Sequence, residues 1–208
     1  TKIRNYYRMG DGILDKFPCI QDQTSPNLAH IPTTNLVRYS ESINESAWSK
    51  YNLTATDNFA TSPIGTTTAS KLTEGASAAN TQYRANITIT SSSAVHTISV
   101  YVKRLSGNRT AYIDLGVATA FFNFDTESIY SAAGRASFES AGNGWYRIKL
   151  SHITAATASS YIGFGYSNIE TYTSGAGGAE ILFWGVQTET QTQAETYAPT
   201  YGLPVTID

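Results

Sequence analysis

The chain has 208 residues, of which 41% are hydrophobic and only 14% are charged, and its formal net charge is −2. This length predicts one principal domain whose core needs no disulfides. The balanced charge lacks a basic footprint for nucleic acid, and no apolar run reaches the roughly 18 residues of a membrane-spanning helix, so we expect neither nucleic acid nor a membrane as partner.

Residues 1–33 differ from the rest because proline and glycine interrupt them too often for a long regular element. They predict an extended N-terminal arm, or a linker from a preceding module. A start at Thr1 instead of Met suggests a piece of a longer protein. Cys19 is the only cysteine, so an intrachain disulfide is excluded, and we expect a small buried apolar residue there.

From residue 34 to about 200, short blocks of alternating apolar and polar residues are separated by turn residues, which predicts an antiparallel β-sandwich. The clearest strand spans residues 96–103, with Ile98, Val100 and Val102 on one face. Residues 110–115 follow the turn at 106–108 and predict a hairpin with that strand. Residues 201–208 are expected to form a C-terminal tail.

Further strands are predicted at residues 121–124, 136–139, 145–151, 161–166 and 180–187. Gly142-Asn143-Gly144 predicts a tight turn into the strand that starts at Trp145. The glycine-rich residues 174–178 predict a flexible loop, and residues 42–48 predict at most one turn of helix. The fold class is therefore all-β.

Several motifs together resemble carbohydrate-binding-like sandwich modules of bacteriophage virion proteins, over roughly residues 35–200. They occur in the expected order: Asn35-Leu36-Val37-Arg38-Tyr39-Ser40-Glu41, Ala47-Trp48-Ser49-Lys50, Gly65-Thr66-Thr67-Thr68-Ala69-Ser70-Lys71-Leu72, Ser99-Val100-Tyr101-Val102-Lys103, Gly142-Asn143-Gly144-Trp145-Tyr146-Arg147, Phe183-Trp184-Gly185-Val186-Gln187 and Tyr197-Ala198-Pro199-Thr200.

This resemblance implies an antiparallel jelly-roll β-sandwich in a tail fibre, tail spike or capsid appendage. It also implies other virion proteins as partners and assembly as a homotrimer. The family offers no agreed catalytic or binding residues to transfer, so the resemblance supplies an architecture and a setting without a site.

Catalysis is not expected, because His30, His96 and His152 lie far apart and no metalloprotease, nucleophile-elbow, phosphate-loop or paired-cysteine motif is present. Four carboxylates could in principle supply the catalytic pair of a glycosidase: Asp114, Asp125, Glu127 and Glu139. Acidic residues are ordinary in turns, so we expect these side chains to be solvated. No cofactor is predicted.

A calcium site is the best candidate for a metal, because Asp57, Asn58, Glu74 and Asp208 offer oxygen ligands. A calcium loop needs closely spaced carboxylates, and none is present. We therefore predict no metal site.

One sheet face is the predicted binding surface, because sugars need flat aromatic rings together with planar hydrogen-bonding groups. The strand alternation places six such side chains away from the core: Tyr101, Tyr112, Asp114, Trp145, Arg147 and Lys149. If their strands are adjacent, they form one patch for a glycan or for another subunit, since interfaces favour the same residue types. Trp48 and Trp184 are assigned to the core.

The sequence therefore predicts a non-catalytic structural or adhesion protein of a bacteriophage particle, in the virion or outside the cell. Its target would be a host-surface polysaccharide or neighbouring virion proteins. Two alternatives are a carbohydrate-binding module of a secreted polysaccharide-degrading enzyme and a capsid decoration protein.

Overall fold

The computed structural model of the protein describes residues 7–8, 20–22, 28–29, 32–81, 83–165, 173–175 and 177–207. These residues form β-strands and turns, with no helix among them, so the fold is all-β as predicted. In chain order the strands are β1 (Tyr7–Arg8), β2 (Ile20–Asp22), β3 (Leu28–Ala29), β4 (Thr33–Asn35), β5 (Ser49–Tyr51), β6 (Leu53–Ala60), β7 (Ala69–Glu74), β8 (Ser77–Thr81), β9 (Tyr83–Thr90), β10 (Ala94–Ser106), β11 (Thr110–Asp114), β12 (Thr119–Asn123), β13 (Ser128–Tyr130), β14 (Arg135–Gly142), β15 (Trp145–Thr154), β16 (Thr157–Gly165), β17 (Thr173–Gly175), β18 (Glu180–Glu189) and β19 (Val205–Ile207).

Two six-stranded antiparallel sheets form a jelly-roll β-sandwich, which confirms the predicted fold class. The β10 sheet has the order β14-β15-β10-β18-β7-β6, and the β11 sheet has the order β13-β12-β11-β16-β9-β5. The smaller sheets are β1-β2-β3, in which β2 is central, the pair β8 and β17, and the pair β4 and β19.

The core lies between the two large sheets and is built from every second residue of their strands. Ile98, Val100 and Val102 of β10 are fully buried, as the alternation predicts, and belong to the same apolar cluster as Ile113 of β11 and Ile162 of β16. Burial of an aliphatic side chain of this size stabilises a fold by roughly 1.5–3 kcal/mol, so this layer holds the sheets together.

The predicted turn between β14 and β15 is confirmed. Gly142, Asn143 and Gly144 all have positive φ, at 79°, 53° and 77°. Glycine and asparagine adopt this conformation most readily, so the sequence favours a sharp reversal here.

The predicted hairpin of β10 with β11 is wrong. β10 pairs with β15 and β18, whereas β11 pairs with β12 and β16 in the other sheet. The turn at residues 106–108 therefore carries the chain from one sheet to the other. Alternation identifies which side chains face the core, but both sheets face the same core, so it does not identify the partner strand.

Two smaller predictions concern residues 42–48 and 174–178. Residues 42–48 form turns and no helix, within the predicted limit of one helical turn, with the Trp48 amide donating to the Glu45 carbonyl. The predicted loop at 174–178 includes part of β17, which pairs with β8. Most of the arm predicted at 1–33 lies outside the described residues, as does Cys19.

Strands β4 and β19 pair beside the sandwich, with Thr33 opposite Ile207 and Asn35 opposite Val205. Part of the predicted C-terminal tail is thus hydrogen-bonded to the strand that opens the sandwich. The domain limits at 33 and 200 stay a prediction. No helix long and apolar enough to cross a bilayer occurs in the described ranges.

Candidate functional site: two grooves on the outward face of the β10 sheet

A β-bulge in β18 sets the outward face of the β10 sheet. Ser99 pairs with Gln187 and Tyr101 with Trp184, so β18 has one more residue than β10 between these pairs. Gly185 takes up the extra residue with a φ of 65°, a conformation that costs glycine little. A Cβ at Gly185 would lie 3.3 Å from the rings of Tyr101 and Tyr197, so the missing side chain also lets these rings approach.

Ordinary alternation places Trp184 on the outward face and Phe183 in the core, and the bulge then returns Val186 to the core side. Trp48 lies in the main core, as predicted. Trp184 is also buried, at 1% exposure, but it belongs to a second apolar cluster with Trp145, Leu182 and Ala69. Its assignment to the core therefore holds for burial and is wrong for location.

Residues 190–201, termed the C-terminal segment, lie over this outward face and are anchored by buried polar groups. Asn35 Nδ2 donates to the carbonyls of Val186 (3.1 Å) and Ala198 (2.9 Å). Its Oδ1 accepts from the amides of Val37 (3.1 Å) and Thr188 (3.2 Å). One fully buried amide thus links β4, β18 and the C-terminal segment.

Further contacts fix the segment along β18 and β15. Gln187 donates to the Thr196 carbonyl at 3.1 Å and accepts from the Ala198 amide at 2.8 Å. Arg147 Nη2 donates to the Glu195 carbonyl at 2.7 Å. Because the segment is held from several strands, it forms a fixed wall on the sheet face, with a groove on each side.

The first groove, termed the aromatic groove, has a volume of about 490 Å³, within the range of ligand pockets. The Trp184 ring lies 5.3 Å from that of Tyr101 and 4.6 Å from that of Tyr197, centroid to centroid. Tyr201 and Ile64 at its rim are 75% and 68% exposed. Thr66, Thr68, Glu41, Arg147, Thr196 and Pro199 complete the lining.

Hydrogen bonds fix the rings of this groove. Trp184 Nε1 donates to Thr68 Oγ1 at 2.8 Å. The Tyr197 hydroxyl donates to Glu41 Oε1 at 3.0 Å and lies 2.6 Å from Ser40 Oγ. Burial raises the pKa of Tyr197 far above its usual range, so its phenol stays protonated and keeps donating to Glu41.

The second groove, termed the charged groove, has a volume of about 450 Å³ and lies over β14 and β15, beside residues 192–196. Its charged lining residues are Arg135, Arg147, Lys149, Glu139 and Glu195. Lys149 Nζ is 2.9 Å from Glu139 Oε2. Arg147 and Thr196 line both grooves, so the two meet at these residues.

Four of the six predicted site residues come together here. Tyr101 lies opposite Arg147 across β10 and β15, and the Arg147 guanidinium is 5.4 Å from the Tyr101 ring centre. Lys149 is two residues after Arg147 on β15, so its side chain lies on the same outward face. Trp145 shares this face but is only 3% exposed within the second apolar cluster, so it supports the surface from below.

The other two predicted residues, Tyr112 and Asp114, lie on β11 in the opposite sheet, so the single patch considered for all six does not form. Asp114 Oδ2 accepts from the Tyr112 hydroxyl (2.8 Å) and Thr119 Oγ1 (3.0 Å), and Oδ1 accepts from the Gly116 amide. Burial raises the pKa of Tyr112, which is 2% exposed. The pair thus stabilises the turn between β11 and β12.

The other polar candidates occupy separate places. His96 is buried and contacts Thr154 Oγ1 through Nδ1 at 2.8 Å, whereas His152 is half-buried. Asp125 pairs with Arg104, whose hydrogen bond lowers the pKa of that carboxyl. Asp114 and Glu139 lie in different sheets.

Of the calcium candidates, Glu74 forms a buried ion pair with Arg109. Asp57 accepts from the Asn44 amide at 3.0 Å and from Ser70 at 2.7 Å. No group of three or more metal-ligating side chains occurs among the described residues. His30 and Asp208 lie outside them.

The sequence reasoning missed Trp184, Tyr197, Tyr201, Ile64 and Glu41 as groove residues. A glycine inside the apolar run of β18 was the available sign of a bulge, since glycine within a strand often marks one. The C-terminal segment lacks a regular alternation, so its position on the sheet was not predictable from periodicity.

No family model and no curated protein matches the chain. Among solved structures, the CBM22-1–GH10 modules of Clostridium thermocellum endo-1,4-β-D-xylanase 10B, complexed with xylohexaose, are 15% identical over 74% of this chain and 28% of that one, with a TM-score of 0.43. The CBM22-1 xylan-binding domain of Paenibacillus barcinonensis Xyn10C is 10% identical over 77% of this chain and 94% of that one, with a TM-score of 0.40. The enzymatically active domain of bacteriophage CBA120 tailspike protein 4 is 14% identical over 74% of this chain and 21% of that one, with a TM-score of 0.37.

Likenesses this distant assign no ligand to the chain. The fold and the site themselves define an antiparallel β-sandwich with two adjoining grooves on one sheet face.

Proposed function

We propose that this chain is a non-catalytic adhesion module that binds a glycan in the aromatic groove, as part of a bacteriophage particle. The supporting observation is the exposed Tyr201 ring beside those of Tyr101 and Tyr197, with Glu41 and Arg147 at the same groove. Sugar rings stack their C–H faces on aromatic rings, and their hydroxyls bond to carboxylate and guanidinium groups.

The bacteriophage setting is supported by the ordered motifs between residues 35 and 200. In that setting the partners are a host-surface polysaccharide and other virion proteins, and a homotrimer would add avidity by presenting three grooves at once. A trimer that stays on purified particles supports this setting. A monomer retained on polysaccharide supports instead a module of a secreted enzyme.

Packing against another virion subunit is a second candidate for the same face. Tyr201 and Ile64 line the same groove and are 75% and 68% exposed, and exposed apolar residues that cluster often mark protein interfaces. A capsid decoration protein would use the face in this way.

The test is binding of the purified chain to an array of bacterial surface polysaccharides and soluble oligosaccharides, neutral and anionic. We expect the Tyr101→Ala, Tyr201→Ala double variant to lose at least about tenfold in affinity, since removal of one stacking ring commonly costs about 1 kcal/mol. Tyr130→Ala is the matched control, because Tyr130 is 41% exposed on the other sheet.

Circular dichroism must show that all variants remain folded. Equal affinity of the double variant and the wild type would overturn the aromatic groove as the glycan site. Absence of binding to every glycan, together with trimers that dissociate in the double variant, would favour the subunit interface.

A further inference from the structure

Arg147 is a buried cation without a counter-ion among the residues that the structure describes. It is 7% exposed, and it forms no ion pair with any described carboxylate. Nη2 donates to Ser99 Oγ at 3.0 Å and to the Glu195 carbonyl, while Nε has no acceptor. Burial of an unpaired charge is costly. The described residues leave the positive charge of Arg147 uncompensated.

The nearby carboxyl of Glu189 does not compensate this charge. It is fully buried, and desolvation raises its pKa even though Arg147 acts in the opposite direction. Its Oε1 accepts from Gln187 at 2.9 Å and from the Glu195 amide at 3.0 Å, and Oε2 has no partner. The environment of Glu189 therefore opposes its ionisation, which leaves Arg147 weakly compensated.

The rest of the charged groove adds to the positive charge beside Arg147. Arg135 is exposed and has no hydrogen bond or ion pair with any described residue. Three cationic side chains, Arg135, Arg147 and Lys149, face two carboxylates, Glu139 and Glu195, which leaves an excess of one positive charge. The whole chain has a net charge of −2, so the charge of this groove is opposite in sign to that of the chain.

We propose that the charged groove binds an anionic group, a carboxylate or a phosphate, on the same glycan whose rings occupy the aromatic groove. This inference rests on the proposed glycan-binding function and specifies its ligand class. Arg147 borders both grooves, so a sugar stacked on the tyrosines places a neighbouring acidic sugar next to the guanidinium. A guanidinium binds carboxylate and phosphate through its planar fork of donors, whereas neutral hydroxyls do not compensate its charge.

The test compares matched ligands by calorimetry. The probes are tetragalacturonic acid with its methyl ester, and mannopentaose 6-phosphate with unphosphorylated mannopentaose. In at least one pair we expect the anionic member to bind about tenfold more tightly at low salt, a difference of ~1.4 kcal/mol. This advantage should shrink at ~0.5 M NaCl, because salt screens exposed charges. The pair that shows it identifies the carboxylate or the phosphate as the source.

Two variants locate the effect. Arg135→Gln removes an exposed cation, and Arg147→Lys keeps the charge but removes the planar fork. Each should lose most of the anionic preference, measured as the ratio of the anionic to the neutral affinity. Arg135→Gln should leave binding of the neutral member unchanged, because Arg135 lines only the charged groove. Arg104→Gln is the control, since it removes one positive charge elsewhere, where Arg104 pairs with Asp125.

The outcomes separate this inference from the proposed function. Neutral and anionic members that bind equally well, or an anionic preference that survives in both variants, would overturn the anion site and leave glycan binding intact. A chain that binds none of these probes and nothing on the polysaccharide array would overturn both.

Discussion

On the outward face of the β10 sheet, Tyr101 and Arg147 border open grooves, whereas on the outward face of the β11 sheet Tyr112 and Asp114 bond to each other and to the following turn. The alternation places both pairs away from the core with equal clarity. The two pairs differ in their surroundings. The C-terminal segment lies beside Tyr101 and Arg147 and forms a wall of the grooves. Asp114, by contrast, accepts hydrogen bonds from Gly116 and Thr119 of the following turn. An outward aromatic and charged pair is therefore a candidate site only where local structure leaves its polar groups available.

The largest expected effect is on the anchoring of the C-terminal segment. Asn35→Ala removes four buried hydrogen bonds. Because each orphaned buried group costs about 1–3 kcal/mol, we expect a loss of about 4 kcal/mol in the free energy of unfolding. Urea denaturation measures this loss. Glycan affinity should also fall, because Tyr197 and Tyr201 belong to the C-terminal segment and lose their position with it. Asn44→Ala, at an exposed residue, should change stability little; equal losses in the two variants would contradict the anchoring.

A smaller effect is expected on the other face. Asp114→Ala should lower the free energy of unfolding by about 2 kcal/mol, because the Tyr112 hydroxyl and the Gly116 amide lose their acceptor. Glycan affinity should not change. Asp125→Ala, at an exposed carboxylate, is the control for stability. If the Asp114 variant remains folded but loses glycan binding, the contrast between the two faces is wrong.

The smallest effect concerns pH. Burial raises the pKa of Glu189 above its unfolded-state value, so its protonated form stabilises the native state. That contribution is fully present below the unfolded-state pKa and is lost as pH rises through the native-state pKa. Glu189→Gln, which stays neutral, should therefore gain a few degrees in Tm relative to the wild type between about pH 4 and 8. Calorimetric scans across this range measure it, and a constant Tm difference would contradict it.

Much of the fold was predictable from the sequence because strand alternation and turn chemistry are local. Ile98, Val100 and Val102 face the core as expected, and the Gly142-Asn143-Gly144 turn joins β14 to β15. The pairing of β10 was not predictable, because the choice between two sheets around one core depends on contacts distant in sequence.

The site was predictable only in part for the same reason. Tyr101, Arg147 and Lys149 follow from alternation alone, and they do border the grooves. Trp184 faces outward because it alternates with the core residue Phe183, and the bulge at Gly185 then returns Val186 to the core side. Tyr201 reaches the groove because contacts distant in sequence hold the C-terminal segment, including those of Asn35, of Gln187 and of Ser40 with Thr200. The period-two pattern does not reveal these contacts.

The pairing of β4 with β19 has a mechanical consequence. Thr33 and Ile207 are partners at the same end of these strands, so a pulling force across these two residues would separate the strands one residue pair at a time. Rupture would pass from Thr33 and Ile207 towards Asn35 and then to the segment that bears Tyr201. Under tension the contacts that hold the wall of the grooves would thus break early, so a load on the chain would weaken the proposed glycan binding.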